Sequence, residues 1–224
     1  MCFSPEADLV AGAVLLPVGV AALREVRHVR EVPFAALPLL FALHQLVESL
    51  VWFGDSGAVS PCTAEAATTA YVLFALRVLP LLVPLAVLLL EPRGARLRVA
   101  PFVALGLVVS GVMAVAVLDG PITARVEDHA IVYGVGLPDA TLWSALYVVA
   151  VIGPSLLSGY RSIVWFGLLN LVGLTVVGLL YLSAFASLWC VFAAASSVLI
   201  LVHMRLRRRL PDPHRLHGEP HVRV

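Results

Sequence analysis

From Ser162 to His203 the chain contains no aspartate, glutamate, lysine or arginine. Wound as an α-helix at 1.5 Å per residue, such a stretch runs about 60 Å, twice the hydrocarbon thickness of a bilayer. It therefore reads as two membrane crossings, with the break expected near Ser183–Ser187. Five further apolar runs precede it, at about 7–23, 33–53, 66–90, 99–118 and 140–157. The long stretch itself divides into about 162–182 and 184–203. Composition agrees: 61% of the residues are hydrophobic and the mean hydropathy is +0.99, against roughly 45–50% apolar usage in soluble domains.

The expected fold class is an all-α, seven-transmembrane-helix bundle forming one domain over residues 1–204. A basic tail, 205–224, is expected to stay disordered because it has too little apolar surface to bury. The arginines orient the bundle. Arg24, Arg27 and Arg30 follow the first run, Arg93, Arg96 and Arg98 the third, Arg161 the fifth, and Arg205 and Arg207–Arg209 the last. The positive-inside rule makes these segments cytoplasmic. Alternation then puts the N-terminus outside and the C-terminus in the cytoplasm of a multi-pass cell-membrane protein. The first run lacks a basic leader, so no cleavable signal peptide is expected. The longest polar interruption, 119–139, carries Ile122–Val126 and Ala130–Tyr133 around Glu127-Asp128-His129, which reads as a small hairpin.

Several functions are excluded at this stage. There is no lysine, hence no Schiff base and no retinal. There is no phosphate loop for a nucleotide. The short arginine groups are accounted for by topology, which leaves no sign of nucleic acid. The partners implied are the lipid bilayer and a small molecule or lipid.

The residues that stand out lie in Phe41–Trp52, inside the second apolar run. His44 and Glu48 are four apart, so they share one helix face, with Gln45 beside them. A charged group at that depth costs roughly 2.5–3.5 kcal/mol on insertion scales and normally faces a bundle interior or a wet cavity. The topology places this pair, Arg77 on the next helix, and Trp189 and Cys190 on the last helix in the outer half. Cys2, Glu6, Asp8, Cys62 and His129 fall at the outer mouth.

Three readings follow. In the first, His44, Glu48, Cys2 and His129 are candidate ligands of a divalent transition metal such as zinc, His44 and Glu48 are the candidate catalytic groups of a membrane metalloenzyme, and Arg77 orients Glu48 or an anionic group. The pair alone supplies two ligands, where zinc needs three or four. In the second, the same cluster, with Gln45, Arg77, Trp189 and Cys190, binds a small solute in a transporter or ligand-responsive receptor. In the third, Glu48 and Arg77 form a buried structural ion pair. Cys2 and Cys62, both outside, are a candidate disulfide, while Trp52, Trp143 and Trp189 fit an interfacial belt.

Met1-Cys2-Phe3-Ser4, the HQLVESLVW stretch at 44–52, and Ser187-Leu-Trp-Cys190 with Ala193-Ala-Ala-Ser196 together resemble an uncharacterised bacterial family of seven-helix integral membrane proteins. The resemblance runs from Met1 to about His203. It implies the seven-helix count and adds weight to Cys2, His44, Glu48 and Cys190, and it implies no particular activity.

Overall fold

The computed structural model describes residues 4–92, 95–127, 130–180 and 185–209. The first helix, α1, spans Pro5–Arg24. Its start follows from sequence: the Ser4 side chain accepts from the Ala7 amide at 3.3 Å, and Pro5 occupies the first helical position. A 3-10 turn, Val29–Glu31, leads into α2, Val32–Asp55. The next rod, Pro61–Leu90, is α3 (Pro61–Val72), a π-helical segment (Leu73–Val78) and α4 (Leu79–Leu90). Then come α5 (Arg96–Asp119), an antiparallel hairpin of β1 (Thr123–Glu127) and β2 (Ala130–Gly134), α6 (Ala140–Leu156), α7 (Arg161–Leu180), α8 (Phe185–Ser196) and α9 (Val198–Arg208).

The protein is mostly helical, and among the described residues five stretches are long and apolar enough to cross a membrane: Pro5–Arg24, Val29–Asp55, Pro61–Leu90, Arg96–Asp119 and Arg161–Leu179. Ala140–Leu156 is apolar but shorter. The helix bounds follow the expected runs within a few residues, except that the rod at Pro61 starts earlier and the last run, expected as one helix over 184–203, is broken at Ser197 into α8 and α9 and continues past His203. The hairpin forms where the alternating sequence puts it, with Ala124 opposite Tyr133 and Val126 opposite Ile131.

Helices α1 and α2 pack along their whole length. Gly19 makes this possible: a Cβ there would lie 2.4 Å from the Leu39 backbone nitrogen. The main core joins Phe34, Phe41, Val83, Ile163, Phe166 and Met204 from α2, α4, α7 and α9. The π segment has a local cause. Pro80 cannot donate a hydrogen bond to the carbonyl four residues back, and its ring presses on that turn. Carbonyls in the widened turn are taken by side chains of other helices: Tyr147 donates to Ala75 at 2.8 Å and Ser110 to Arg77 at 2.6 Å. Gly106 on α5 faces the same place, since a Cβ there would lie 2.0 Å from the Pro80 carbonyl oxygen.

At the arginine-rich end the helix α9 corrects the expected boundary of the tail. Residues 205–208 are helical, because Arg207 reaches Glu31 at 3.0 Å and Arg208 reaches Glu25 at 2.7 Å. Arg207, expected at the surface, is 1% exposed and lies 5.2 Å from the centre of the Tyr160 ring. The remaining tail, 210–224, lies outside the described residues. Glu31 also accepts from the Arg27 amide at 2.9 Å and the His28 amide at 3.3 Å. Glu91, at the end of α4, accepts from Ser158 and from the Gly159 amide between α6 and α7. Burial pushes the Glu91 carboxyl above its usual value, against the two hydrogen bonds, which lower it.

Candidate functional site

The opposite end gathers the residues of the HQLVESLVW stretch. His44, Gln45 and Glu48 are all buried on α2, His44 at 3% exposure and the other two at 0%. The i, i+4 spacing of His44 and Glu48 brings both to the face that packs inside the bundle. The His44 ring stacks on Tyr71 of α3, with centroids 3.9 Å apart and planes 15° off parallel. Tyr71 stacks in turn on Tyr133 of β2 at 4.3 Å and 13°. A three-ring column therefore runs from the hairpin into the helices, and Phe74 abuts it at 4.8 Å from His44. Stacked rings of this kind hold each other's orientation and contribute about 0.5–1.5 kcal/mol per pair beyond the area they bury.

Beside the column, Asp8 of α1 is fully buried, and its Oδ2 accepts from Trp52 Nε1 at 2.9 Å. Asp8 sits in the first turn of α1, where the helix dipole favours a carboxylate. Trp52, at 8% exposure, is an internal clamp between α1 and α2 rather than part of an interfacial belt. The Cys190 thiol of α8 is buried next to the Tyr71 hydroxyl, and Glu48 is within electrostatic reach of both. On the far side of Tyr71 lies a cavity of about 280 Å³, lined among others by Tyr71, Ala75, Met113, Tyr133, Tyr147 and Cys190.

Several polar atoms in this cluster have no hydrogen-bond partner among the described residues. Among the described residues, neither Gln45 Oε1 nor Nε2 has a hydrogen-bond partner, and nor do His44 Nε2 and Asp8 Oδ1. Leaving one such buried atom unmet costs about 1–3 kcal/mol. The cluster can therefore offer an acceptor and a donor from Gln45, a ring nitrogen from His44 and a carboxylate oxygen from Asp8.

The structure thus brings together His44, Gln45, Glu48 and Cys190 from the expected set. It does not bring in Arg77. That side chain is exposed, and no ion pair joins it to Glu48. Tyr71 and Ala75 fill the inner face of the rod, and Arg77, two residues past Ala75, points the other way. Cys62 is a free, exposed thiol in the first turn of α3. Its expected partner Cys2, the metal-ligand candidate His129, and the side chain of Trp189 lie outside the described residues. Among the described residues, no group of three or more His, Cys, Asp or Glu side chains is placed to hold a metal ion.

Sequence reasoning missed Tyr71, Tyr133 and Tyr147. A weak signal existed: Tyr71 is the sole tyrosine in the mostly apolar rod from Pro61 to Leu90, where a polar aromatic needs a reason.

Residues 1–215 match a family of unknown function, DUF6629, and the chain belongs to that family. The match extends beyond His203 into the tail. No curated protein and no solved structure matches the chain.

Proposed function

We propose that this member of the DUF6629 family is a multi-pass membrane protein that binds a small polar solute at its hairpin end, in a site built on His44 and Gln45. The carrying observation is Gln45: a wholly buried amide with neither its oxygen nor its nitrogen partnered among the described residues. Such a side chain is retained against its cost where something polar meets it. The neighbouring His44 nitrogen supports a ligand with a hydrogen-bonding edge, and the cavity lined by Tyr71 and Tyr133, though not by His44 or Gln45, leaves room nearby for a flat or apolar body.

The same reading takes the chain across the cell membrane seven times. The arginine-rich end faces the cytoplasm, and the N-terminus and hairpin face outward. In it, α6 supplies a crossing, and α8 with α9 supplies the last. The metalloenzyme alternative would draw its remaining ligands from Cys2 and His129.

Native mass spectrometry and elemental analysis of the detergent-extracted protein test the proposal, with wild type beside His44→Ala and Gln45→Leu. An organic species of defined mass held by wild type and lost from both variants supports it. About one metal ion per chain, lost in His44→Ala, replaces it with the metalloprotein reading. An empty wild type, with Gln45→Leu markedly less stable, makes the cluster structural.

A further inference from the structure

Arg77 is a charge in an unusual place. It stands midway along the 30-residue rod Pro61–Leu90, about 24 Å from one end and about 20 Å from the other at 1.5 Å per residue. Helix α5 gives the same depth independently: Ser110, which donates to the Arg77 carbonyl at 2.6 Å, lies within a turn of the middle of Arg96–Asp119. Half the hydrocarbon thickness, about 15 Å, separates such a position from either headgroup layer. That is too far for one arginine side chain to bridge by extending along the helix.

The side chain nevertheless faces outward. It is exposed, and among the described residues its guanidinium takes part in no ion pair or hydrogen bond. The π segment Leu73–Val78 carries it, and single π turns of this kind recur at functional sites. Helix α5 packs against that segment. On it Leu107 and Val108 are exposed near the same depth, and so is Gly111, where an added Cβ would meet no atom within 4 Å. An arginine inside a membrane ordinarily turns inward or pairs. Among the described residues Arg77 does neither, which leaves a second molecule to meet it.

A second copy of the chain does not supply the countercharge. The exposed acids among the described residues lie near helix ends or in the hairpin, as Glu6, Asp55, Glu65 and Asp119 do, and Glu48, the acid closest to mid-depth, is wholly buried. A two-fold contact centred there would set arginine against arginine. We propose that this face receives a transmembrane helix of another protein that carries a carboxylate at mid-depth, with Arg77 as its ion-pair partner. In hydrocarbon neither charge has water to turn to, and a guanidinium meets a carboxylate through two parallel hydrogen bonds. Gly111 lets a helix backbone approach closely, as small residues do where membrane helices meet. The proposal rests on the membrane-spanning reading given above and is independent of the solute site at the hairpin end.

The test uses the full chain in phosphatidylcholine bicelles and synthetic transmembrane peptides of about twenty leucine and alanine residues that differ at one central position: Asp, Asn or Leu. Energy transfer from the chain's tryptophans to a dansyl group on the peptide reads binding. The Asp peptide is expected to bind about tenfold more tightly than the Leu peptide, the scale of one polar contact between membrane helices, with the Asn peptide nearer to Leu. Arg77→Leu should remove that preference and Arg77→Lys keep part of it, while Arg125→Gln on the hairpin leaves it intact. Equal binding of the three peptides, or a preference that Arg77→Leu retains, overturns the proposal. Asn bound as tightly as Asp overturns the carboxylate assignment. Self-association of wild type that Arg77→Leu abolishes overturns the foreign helix in favour of a second copy. Should Arg77→Leu fail to fold, the three peptides on wild type decide alone. A chain that stays out of the bicelles refutes the membrane-spanning reading itself, whereas one that enters them without distinguishing the peptides refutes only the partner.

Discussion

The two ends of the bundle both bury polar side chains, but on different terms. At the arginine-rich end the acids meet groups distant in sequence: Glu31 meets Arg207, Glu25 meets Arg208, and Glu91 meets Ser158 and Gly159 through Oε1, its Oε2 having no hydrogen-bond partner among the described residues. These contacts tie α1, α2, α4, the α6–α7 turn and α9 into one rigid face. At the hairpin end, Asp8 and Trp52 make one such contact. Gln45 makes none among the described residues, and His44 offers a ring nitrogen that is also unmet. A buried network with its partners present gives rigidity. Buried capacity without partners gives a place for a ligand. The contrast separates the part of this protein that holds the fold from the part proposed to act.

The contrast predicts unequal responses to mutation. The largest effect is expected at the ion pair. Arg207→Leu strands Glu31 in the interior and should cost about 3–5 kcal/mol, whereas Glu31→Leu/Arg207→Leu should recover much of that loss; unfolding in detergent measures both, and a harmless single variant would dissolve the distinction between the ends. Next comes Trp52→Phe, which leaves Asp8 Oδ2 without its donor and should cost about 1–3 kcal/mol. Asp8→Asn, which keeps an acceptor for Trp52 Nε1, should cost less. Gln45→Leu sharpens the comparison from the other side. Removing an amide with no partner should change the stability of the unliganded protein by less than about 1 kcal/mol, or raise it, while abolishing the bound species. A loss as large as that of Arg207→Leu would show that Gln45 belongs to the scaffold.

The smallest effect concerns pH. The Glu91 carboxyl is raised by burial above its ordinary value of 4.5. Its contribution to stability is therefore fully present below about that pH and is lost as pH rises through the folded-state value. Glu91→Gln keeps an acceptor for Ser158 and Gly159 and cannot ionise, so its unfolding curve should depend less on pH in that window. An unchanged pH dependence would show that Glu91 is not the group responsible.

Much of this was legible in the chain. The apolar runs at 7–23, 33–53 and 99–118 became helices within a few residues of those limits because their length and lack of charge leave few alternatives. The hairpin followed from alternation around Glu127-Asp128-His129. The i, i+4 relation of His44 and Glu48 is a property of any helix, so their common face needed no tertiary information.

What required the fold is which way each helix turns. The long membrane-length helices are apolar nearly all round, so no hydrophobic stripe marks an inner face. Arg77 read as an inward partner for Glu48, yet the π segment and the demands of Tyr71 and Ala75 direct it outward. Arg207 read as one more surface cation, yet Glu31, 176 residues earlier, draws it into the interior. The column of Tyr133, Tyr71 and His44 joins a strand and two helices that no local pattern connects. Local sequence determined the helices, their apolar length and the polar residues each carries. Packing alone decided which of those residues meet, because in a uniformly apolar helix rotation about the axis is set by neighbouring shapes and by distant polar partners, and neither is written in the segment itself.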